Sequence, residues 1–407
     1  TAPCKGGCPI GQDIPEYIEL CRKGEYASAL RLICEKNPLP FITGTICAHR
    51  CQTKCTRTYY DDSVQIRATK LVAAQRGYDE YLSKIKTPAP DKSGKKVAVI
   101  GGGPTGMAAA YFVGRAGIPV TVFEKADKLG GIVRQVIPGF RISDEAIDKD
   151  AALIAKMGAE IKLNTPAPSV TELKAQGYTH IFFAVGAWKA GRLDIPGNVA
   201  PVIGWLKALK AGKDVSLGHV AVVGGGNTAM DAARAALRAG AKSSTLVYRR
   251  TKKYMPADAE ELELAVADGV NFLELVAPVE QKDGKLRCEK MKLGEPDEKG
   301  RRKPEPTGEF VEIDCDTVIS AVGEKVESEL LTASGVEVDA KGLPDFRTNV
   351  EGVYAGGDAM RGPATVVEGI ADAQWFANAV IGDSYSFEIP AKAVASRAEA
   401  IAKKGIL

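Results

Sequence analysis

Seven of the nine cysteines in this 407-residue chain lie within the first 55 residues, and five of them form two spaced sets, Cys-x3-Cys and Cys-x3-Cys-x3-Cys. The five are Cys4, Cys8, Cys47, Cys51 and Cys55. A cysteine directly followed by proline, as at Cys8-Pro9, is typical of ferredoxin-like runs that bind iron–sulfur clusters. Zinc sites more often combine Cys-x2-Cys pairs with histidine, and only His49 is near. The pattern favours [4Fe-4S] ligation, with zinc or plain structural thiols as alternatives.

A glycine-rich turn, Gly101-Gly102-Gly103-Pro104-Thr105-Gly106, follows the apolar run Val97–Ile100 and precedes a helix-like run. In such a turn the first glycine permits the tight bend, the second lets the backbone approach a pyrophosphate, and the third lets helix and strand pack closely. Glu124 stands 18 residues after Gly106, where a carboxylate accepts hydrogen bonds from a ribose hydroxyl. The turn predicts a dinucleotide site.

A segment far along the chain indicates which dinucleotide the first glycine turn binds. Gly357-Asp358 ends an apolar strand, and Ala364-Thr365-Val366 opens a helix. At this point of the fold, two-dinucleotide flavoproteins place a carboxylate on the ribityl hydroxyls and a positive helix end near the flavin O2, which stabilises the anionic reduced flavin. The first site is therefore predicted to hold FAD. Without the first glycine turn, Gly357-Asp358 would be an ordinary strand-ending turn.

The turn Gly224-Gly225-Gly226-Asn227-Thr228-Ala229 repeats the fingerprint about 120 residues later. Arg249 and Arg250 occupy the place of the ribose-binding acid. An acid there would repel a 2′-phosphate, whereas guanidinium groups bind phosphate through charge-assisted hydrogen bonds. The second site is therefore predicted to hold NADPH in preference to NADH, with a solvated strand end as the alternative role of the two arginines.

These residues need defined elements to position them. Helical periodicity covers residues 1 to about 86, and a Pro- and Lys-rich stretch at 87–94 predicts a linker. The further predicted elements are a strand at 96–100, a helix at 104–116, strands at 119–123 and 219–223, a helix at 227–239, a strand at 244–248, strand-like runs over 270–315 with a solvated hairpin tip at 295–303, and a helix at 365–380.

The other four cysteines are predicted to be packing residues. Cys21 and Cys34 fall on apolar faces of helices, and Cys288 and Cys315 are isolated. No Cys-x-x-Cys pair is available to a flavin, which argues against an activity of the thioredoxin-reductase type.

Composition limits the class of protein. The net charge of +3, with 45% apolar and 26% charged residues, is ordinary for a globular protein and gives no argument for nucleic acid or membrane partners. Apolar runs such as Ile181–Val185 are far shorter than the roughly 18 residues of a membrane span, and no signal peptide is recognisable. Clustered cysteines favour a reducing cytoplasm. Because the chain begins at Thr1 and stops inside a helix-like run at 393–404, we expect it to be a section of something longer.

With these motifs in place, the whole chain resembles the small subunit of NADPH-dependent glutamate synthase and the amino-terminal half of dihydropyrimidine dehydrogenase. The matching stretches are 37–44, 130–132, 137–141, 226–231, 248–250, 255–257 and the helix at Gly357-Asp358. Details at 55–57, 205–210 and 293–302 resemble most the branch named for the selenate reductase large subunit.

The resemblance implies two [4Fe-4S] clusters. One would take Cys4 and Cys55, together with two cysteines upstream of Thr1. The other would take three cysteines and a non-cysteine ligand from the following helix. Those three are Cys8, Cys47 and Cys51.

The resemblance also raises the question of that fourth ligand. Dihydropyrimidine dehydrogenase has a glutamine there, whereas the aligned residue here is Lys70, which cannot ligate while protonated; Gln65 and Gln75 are nearby substitutes. Further contacts are expected from the residues around the two nucleotides. They are Lys125, Gly130, Gly131 and Arg141 for FAD, and Val322 and Gly323 for NADPH.

The predicted fold is α/β, with an N-terminal α-helical iron–sulfur domain followed by two interleaved Rossmann-like dinucleotide-binding domains of the two-dinucleotide flavoprotein type. The predicted divisions are 1–92 for the [4Fe-4S] domain and linker, 93–205 and 326–390 for the FAD domain, 206–325 for the NADPH domain and 391–407 for a C-terminal helix. Ala184-Val185-Gly186 and Ala321-Val322-Gly323 are predicted crossover points between the nucleotide domains.

The predicted function is a cytoplasmic NADPH-dependent oxidoreductase module. It would pass hydride from NADPH to FAD, and then single electrons through [4Fe-4S] clusters to a partner domain or subunit that contains molybdenum or iron–sulfur centres. No side chain is nominated as a catalytic acid or base. The alternatives are a glutamate synthase small subunit, electron flow in the reverse direction to NADP+, and a non-enzymatic structural or redox-sensing subunit.

Overall fold

The computed structural model describes residues 2–298, 300 and 302–382. Its helices are α1 (Pro3–Gly7), α2 (Ile14–Arg22), α3 (Tyr26–Cys34), α4 (Pro40–Ile46), α5 (Ile66–Lys84), α6 (Pro104–Arg115), α7 (Gly131–Gln135), α8 (Asp144–Lys156), α9 (Val170–Ala175), α10 (Val202–Lys210), α11 (Asn227–Arg238), α12 (Ala259–Ala267), α13 (Glu329–Ala333), α14 (Asp358–Arg361) and α15 (Val366–Ile381). None of these helices has both the length and the apolar character that crossing a membrane requires. The helix predicted at 391–407 lies outside the described residues.

The strands complete two β-α-β units and a hairpin region. They are β1 (Val97–Ile100), β2 (Val120–Phe123), β3 (Glu160–Lys162), β4 (His180–Phe183), β5 (Lys189–Ala190), β6 (Val199–Pro201), β7 (His219–Val223), β8 (Ser243–Tyr248), β9 (Asn271–Glu274), β10 (Val276–Lys282), β11 (Lys285–Pro296), β12 (Arg302–Asp314), β13 (Thr317–Ser320), β14 (Glu324–Lys325) and β15 (Val353–Ala355). The elements predicted for the two units and for the helix at 365–380 are confirmed, with ends that differ by at most one residue.

The first sheet is parallel, with the strand order β15-β4-β1-β2-β3. All four residues of β1 are buried, as expected for a strand covered by helices on both faces. Because β15 pairs with β4 and β4 pairs with β1, the late segment that ends at Ala355 lies beside the early glycine turn. This pairing is what unites the two halves of the predicted FAD site.

The second sheet is also parallel, with the strand order β6-β13-β7-β8-β9. The strand-like runs predicted at 270–315 are confirmed as strands: the first is β9 of this parallel sheet, and the others form an antiparallel sheet, β10-β11-β12. Its inner face contributes Leu286 and the buried Cys288 to a core that also contains Cys315 and Val318. Cys288 and Cys315 are therefore packing residues, as expected.

The chain divides into two compact units. The first contains the described residues up to Arg134, Gly139–Ala187 and the described residues from Val326, and the second contains Gln135–Pro138 and Trp188–Lys325. The chain thus passes between the units next to the small-residue turns that follow β4 and β13. The five N-terminal helices share a unit with the first sheet; the finer division into domains given above stays a prediction.

Candidate functional site

Three of the five predicted cysteine ligands surround one cavity. Cys8 follows α1, Cys47 follows α4, and Cys51 precedes a short 3-10 turn, and all three line what we call the three-cysteine cavity. Cys4 lies close enough to Cys55 for their charges to interact. The structure thus groups the thiols as three and two, the same division that the family resemblance implies.

The three cysteines of this cavity are all half-buried. Burial raises the pKa of Cys8, whose sulfur accepts backbone hydrogen bonds from Ile10 and Gln12, and it raises the pKa of Cys51 to about 12. Iron binds the thiolate, so the backbone donors favour the charged form that the metal requires. Within the part of the chain that the structure describes, no three His, Cys, Asp or Glu side chains converge closely enough to hold a single metal ion. Thiols arranged around a cavity, with N–H donors to sulfur, fit an iron–sulfur cluster.

The start of helix α4, which leads to Cys47, is held by an acid from α8. Asp150 is fully buried, and its two carboxylate oxygens accept hydrogen bonds from Phe41 N at 3.1 Å and Ile42 N at 2.8 Å. These first-turn N–H groups have no partner within the helix. Burial raises the pKa of Asp150, and the two backbone donors act in the opposite direction. Sequence reasoning missed this residue because a single acid in an amphipathic helix gives no local signal.

Position 70 lies where the resemblance places it. Lys70 is 8% exposed and lines the three-cysteine cavity. Gln65 and Gln75, the substitutes considered from the sequence, are both exposed and do not belong to the cavity wall. Gln65 directly precedes α5 and Gln75 lies on its exposed side, whereas Lys70 lies on its buried face.

The first glycine turn has the close contacts that its motif predicts. Gly101 has φ +104°, and a Cβ there would lie 2.5 Å from the carbonyl oxygen of Ala184. A Cβ on Gly106 would collide with the carbonyl oxygen of Gly101. At Gly103 the nearest atom to an added Cβ is 3.9 Å away, so this position faces open space beside the start of α6. Open space next to a helix N-terminus fits a pyrophosphate.

The loop after β2 packs on this turn and presents Glu124. The carboxylate of Glu124 accepts hydrogen bonds from Gly102 N at 2.6 Å and Ala126 N at 2.7 Å, and the residue is 6% exposed. Gly130 N donates to Gly102 O at 2.8 Å, and a Cβ on Gly131 would approach the turn to 2.9 Å. The acid and both glycines predicted for FAD therefore lie at the same turn.

The distant Gly357-Asp358 pair also reaches this site. Gly357 has φ +63°, and a Cβ there would collide with the Thr105 hydroxyl. The Asp358 carboxylate accepts from Ala364 N at 3.0 Å, and Thr365 caps α15 by accepting a hydrogen bond from its third residue at 3.3 Å. The structure thus places Gly357-Asp358 next to the first glycine turn. Among the other predicted contacts, Lys125 is exposed, while Pro104 and Arg141 are half-buried.

Asp372 of α15 is a site residue that sequence reasoning missed. It is fully buried, accepts a hydrogen bond from Gly357 N at 2.8 Å, and forms an ion pair with Arg361. Burial raises the pKa of its carboxyl, and the Arg361 guanidinium acts against that rise. The available signal was an acid within the otherwise apolar run of α15, which is unusual unless the acid is paired.

The second glycine turn, in the other unit, has the same design. A Cβ on Gly225 would lie 2.5 Å from the Tyr248 ring, whereas Gly226 has no atom within 4 Å of an added Cβ. Ala229 is fully buried against β7, in the place of the third glycine. Asn227 Oδ1 accepts from Asp258 N at 3.0 Å, which fastens the following loop to the start of α11. Gly226, like Gly103, faces open space where a pyrophosphate would lie.

Arg249 and Arg250 directly follow β8, which neighbours the strand that leads into this turn. Arg249 is exposed and Arg250 half-buried, and neither forms an ion pair with a carboxylate among the described residues. Arg250 Nε donates to the carbonyl oxygen of Arg302, so the hairpin of β11 and β12 lies next to the pair. Two guanidiniums without an internal acid are suited to an external phosphate.

Val322 and Gly323 follow β13, which pairs with β7 on the side away from β8. Val322 is 44% exposed, and Gly323 has φ +107°. Glu324, which sequence reasoning missed, is hydrogen-bonded to the Thr228 side chain, and burial raises the pKa of its carboxyl. The ten residues predicted for NADPH therefore follow the ends of three neighbouring strands of one sheet, β13, β7 and β8, where α/β folds bind nucleotides.

Both the N-terminal part of the chain and the part that contains the two glycine turns match known protein families. Residues 95–373 match the description "Pyridine nucleotide-disulphide oxidoreductase", and residues 1–80 match "Dihydroprymidine dehydrogenase domain II, 4Fe-4S cluster". The matches confirm the predicted class, an NAD(P)H-dependent flavoprotein oxidoreductase, and its cofactors, FAD, NADPH and [4Fe-4S] clusters.

Relatives match over most of this chain. YgfK of Escherichia coli K12, an oxidoreductase by name, is 44% identical over 392 residues, which are 94% of this chain and 38% of YgfK. The NADPH-Fe(3+) oxidoreductase subunit beta of Geobacter sulfurreducens is 37% identical, over 92% of this chain and 62% of that protein. The glutamate synthase [NADPH] small chain of E. coli is 31% identical, over 93% of this chain and 88% of that protein. The chain thus spans 38% and 62% of the first two, less than two thirds of each.

Solved structures share the fold. FprA of Mycobacterium tuberculosis in complex with NADPH has a TM-score of 0.60 at 20% identity and covers 76% of this chain and 89% of its own. Thioredoxin reductase of Lactococcus lactis has a TM-score of 0.54 at 21% identity and covers 70% and 98%. The two-dinucleotide flavoprotein fold is confirmed. This chain belongs to the pyridine nucleotide-disulphide oxidoreductase family, carries the 4Fe-4S domain of dihydropyrimidine dehydrogenase type at its N-terminal end, and falls within the family of the glutamate synthase small chain.

Proposed function

We propose that this chain moves electrons from NADPH, through FAD and [4Fe-4S] clusters, to a partner domain or subunit. When bound, FAD accepts hydride from NADPH, and the clusters take up electrons one at a time. The protein's own contribution is to bind these groups, to orient them and to exclude water. No side chain is required to donate or accept a proton from substrate.

The FAD residues act by shape and charge. Gly103 leaves room for the pyrophosphate at the start of α6, and Glu124 offers a buried carboxylate to the ribose. Asp358 accepts a hydrogen bond from Ala364 N just before α15, and its carboxylate would bind the ribityl hydroxyls. The capped N-terminus of α15 supplies positive potential for a reduced, anionic flavin.

The NADPH residues act in the same way in the other unit. Gly226 leaves room for the pyrophosphate, and Arg249 and Arg250 neutralise the 2′-phosphate. Thr228 and Glu324 share a hydrogen bond at the inner end of this turn. Preference for NADPH over NADH depends on the two arginines, since NADH has a hydroxyl in place of that phosphate.

One observation carries the proposal: the predicted cluster and flavin sites share the first turn of α15. Val367 lines the three-cysteine cavity, and it lies two residues after Thr365, the cap residue predicted to contact FAD. Arg50, between two of the cavity cysteines, forms an ion pair with Glu368 at 3.2 Å. Such a shared helix end keeps the two redox groups near each other, which electron transfer requires.

The partner and the direction of electron flow are part of the proposal. We infer an acceptor that contains molybdenum or iron–sulfur centres, in a larger polypeptide or hetero-oligomer of the cytoplasm. Support comes from relatives whose names describe subunits, such as the NADPH-Fe(3+) oxidoreductase subunit beta. The similarity to the glutamate synthase small chain, over 88% of that protein, favours a synthase-type partner as the second candidate.

Anaerobic addition of NADPH tests the proposal. We expect the flavin absorbance to bleach first and the broad iron–sulfur absorbance to follow, with NADH at equal concentration giving a slower response. Protein purified without flavin or iron, or flavin that stays oxidised, would contradict electron entry from NADPH. Copurification of the full-length polypeptide distinguishes the two classes of partner.

A further inference from the structure

The three-cysteine cavity provides one thiol too few for a four-iron cube, in which each iron needs a ligand outside the cube. Its wall contains six polar side chains besides the thiols. They are Gln12, Tyr17, Asn37, His49, Arg67 and Lys70. A fourth ligand among them must have a lone pair available for iron. The inference rests on the proposed function, because it assumes that a cluster occupies this cavity.

Two of the neutral candidates have their polar atoms engaged. Asn37 Nδ2 donates to Thr43 Oγ1 at 2.7 Å, and its Oδ1 accepts from Leu39 N at 3.1 Å. The Tyr17 hydroxyl donates to Ile66 O at 3.5 Å. The Asn37 amide thus has both of its polar atoms in use, and the Tyr17 hydroxyl is directed at the backbone of α5.

The basic candidates are poorly suited. Arg67 and Lys70 have no nitrogen lone pair while they are protonated. His49 Nδ1 lies 3.0 Å from Arg67 Nη1, so this ring nitrogen accepts from a cation instead of facing the cavity alone. A cation next to a cluster lowers its net negative charge, but it is not a ligand.

Gln12 differs from all of these. Its side chain is 97% buried by area, since only 3% is exposed, and its Nε2 donates to Ile33 O at 3.3 Å. The other amide atom, Oε1, is buried and has no hydrogen-bond partner among the described residues. Leaving such an oxygen unpartnered is costly and rare in folded proteins, so its presence points to a missing partner.

The backbone of Gln12 also serves the same site. Its N–H donates a hydrogen bond to the Cys8 sulfur, so this residue is fixed at the edge of the thiol set. We propose that the Gln12 amide oxygen is the fourth ligand of the cluster held by Cys8, Cys47 and Cys51, and that Lys70 is a neighbouring cation. A neutral ligand and a nearby cation both make the cluster easier to reduce than a four-cysteine cluster.

Three variants test this assignment: Gln12→Leu, Gln12→Cys and Lys70→Met. Each is purified anaerobically, and iron content and EPR spectra are recorded after mild oxidation. In Gln12→Leu we expect loss of one iron from this cluster and the EPR signal of a three-iron cluster. In Lys70→Met we expect all four irons to remain and the midpoint potential to fall.

Gln12→Cys keeps the test decisive if Gln12→Leu folds poorly. We expect it to retain four irons, to lower the midpoint potential of one cluster, and to add no thiol that reacts with a disulfide reagent in the native protein. A four-iron cluster in Gln12→Leu, a three-iron signal in Lys70→Met, or a reactive added thiol in Gln12→Cys would each overturn the assignment. Iron missing from the wild-type protein would instead overturn the proposed function itself.

Discussion

Gly103 and Gly106 stand three residues apart in the first glycine turn, and alanine at these two positions should have opposite effects. Gly103 has φ −71° and ψ 179°, which any residue adopts, and its surroundings are open. Gly106 has the Gly101 carbonyl in the place where a Cβ would lie. If the open space at Gly103 belongs to FAD, then Gly103→Ala should spare the fold and weaken the cofactor, whereas Gly106→Ala should damage the fold.

The magnitudes follow from these contacts. Glycine-to-alanine exchange at a compatible, uncrowded position stabilises a protein by about 0.4–1 kcal/mol, because it restricts the unfolded chain. A methyl group forced against a bound pyrophosphate should cost about 1–3 kcal/mol of binding, by analogy with overpacking of a core. We therefore expect Gly103→Ala to bind FAD roughly 5- to 150-fold more weakly, since each 1.4 kcal/mol is about tenfold.

The assay separates cofactor binding from stability. FAD is removed, the free energy of unfolding of the apoprotein is measured in urea, and FAD binding is then titrated by fluorescence. Gly226→Ala is the matched control, because Gly226 is equally open but belongs to the second turn. It should weaken NADPH and leave FAD unchanged. Wild-type FAD affinity in Gly103→Ala, or apoprotein destabilisation equal to that of Gly106→Ala, would refute the reasoning.

Two further substitutions probe other parts of the structure. Replacing Arg249 and Arg250 with alanine should raise KM for NADPH at least about tenfold and leave KM for NADH nearly unchanged, because each charge-assisted contact contributes about 1.5–3 kcal/mol. The control is Arg238→Ala, which removes an arginine that is already paired with an acid. Equal effects on both nucleotides would contradict a 2′-phosphate site. Asp150→Ala should lower the free energy of unfolding by at least about 2 kcal/mol, since it leaves two buried N–H groups unpaired. It should also reduce iron retention, because these groups begin the helix that leads to Cys47. Urea unfolding and iron analysis measure the two effects, and wild-type stability would contradict the capping role.

The sequence was most informative where function depends on local backbone geometry. The turn at Gly101–Gly106 and its repeat at Gly224–Ala229 each require strand, tight bend and helix within a short stretch, so residue types and spacing determine them together. Periodicity defined the bounds of these elements within a residue. Charge at the end of the following strand, Glu124 in one unit and Arg249 in the other, indicated different nucleotides.

Other properties depend on contacts between segments that are distant in sequence. The link from β1 through β4 to β15 places Gly357 against Thr105, and it makes Asp372 a partner of the Gly357 backbone. Asp150 likewise reaches Phe41 only because α8 packs on α4. A lone acid in a helix has no spacing rule, so its partner cannot be inferred before the helices are placed.

The candidate fourth ligand at the three-cysteine cavity shows the same difference between what local sequence and what tertiary packing determine. The family resemblance drew attention to Lys70 and Gln75 in α5 and to Gln65 just before it. Tertiary packing exposed both glutamines, buried the lysine, and brought Gln12 from a different segment to the cavity with an unpartnered oxygen. Local sequence thus determined which cofactor chemistry the chain supports, whereas the packing of helices decided which side chains line the three-cysteine cavity, because burial and hydrogen bonding depend on every neighbouring segment at once.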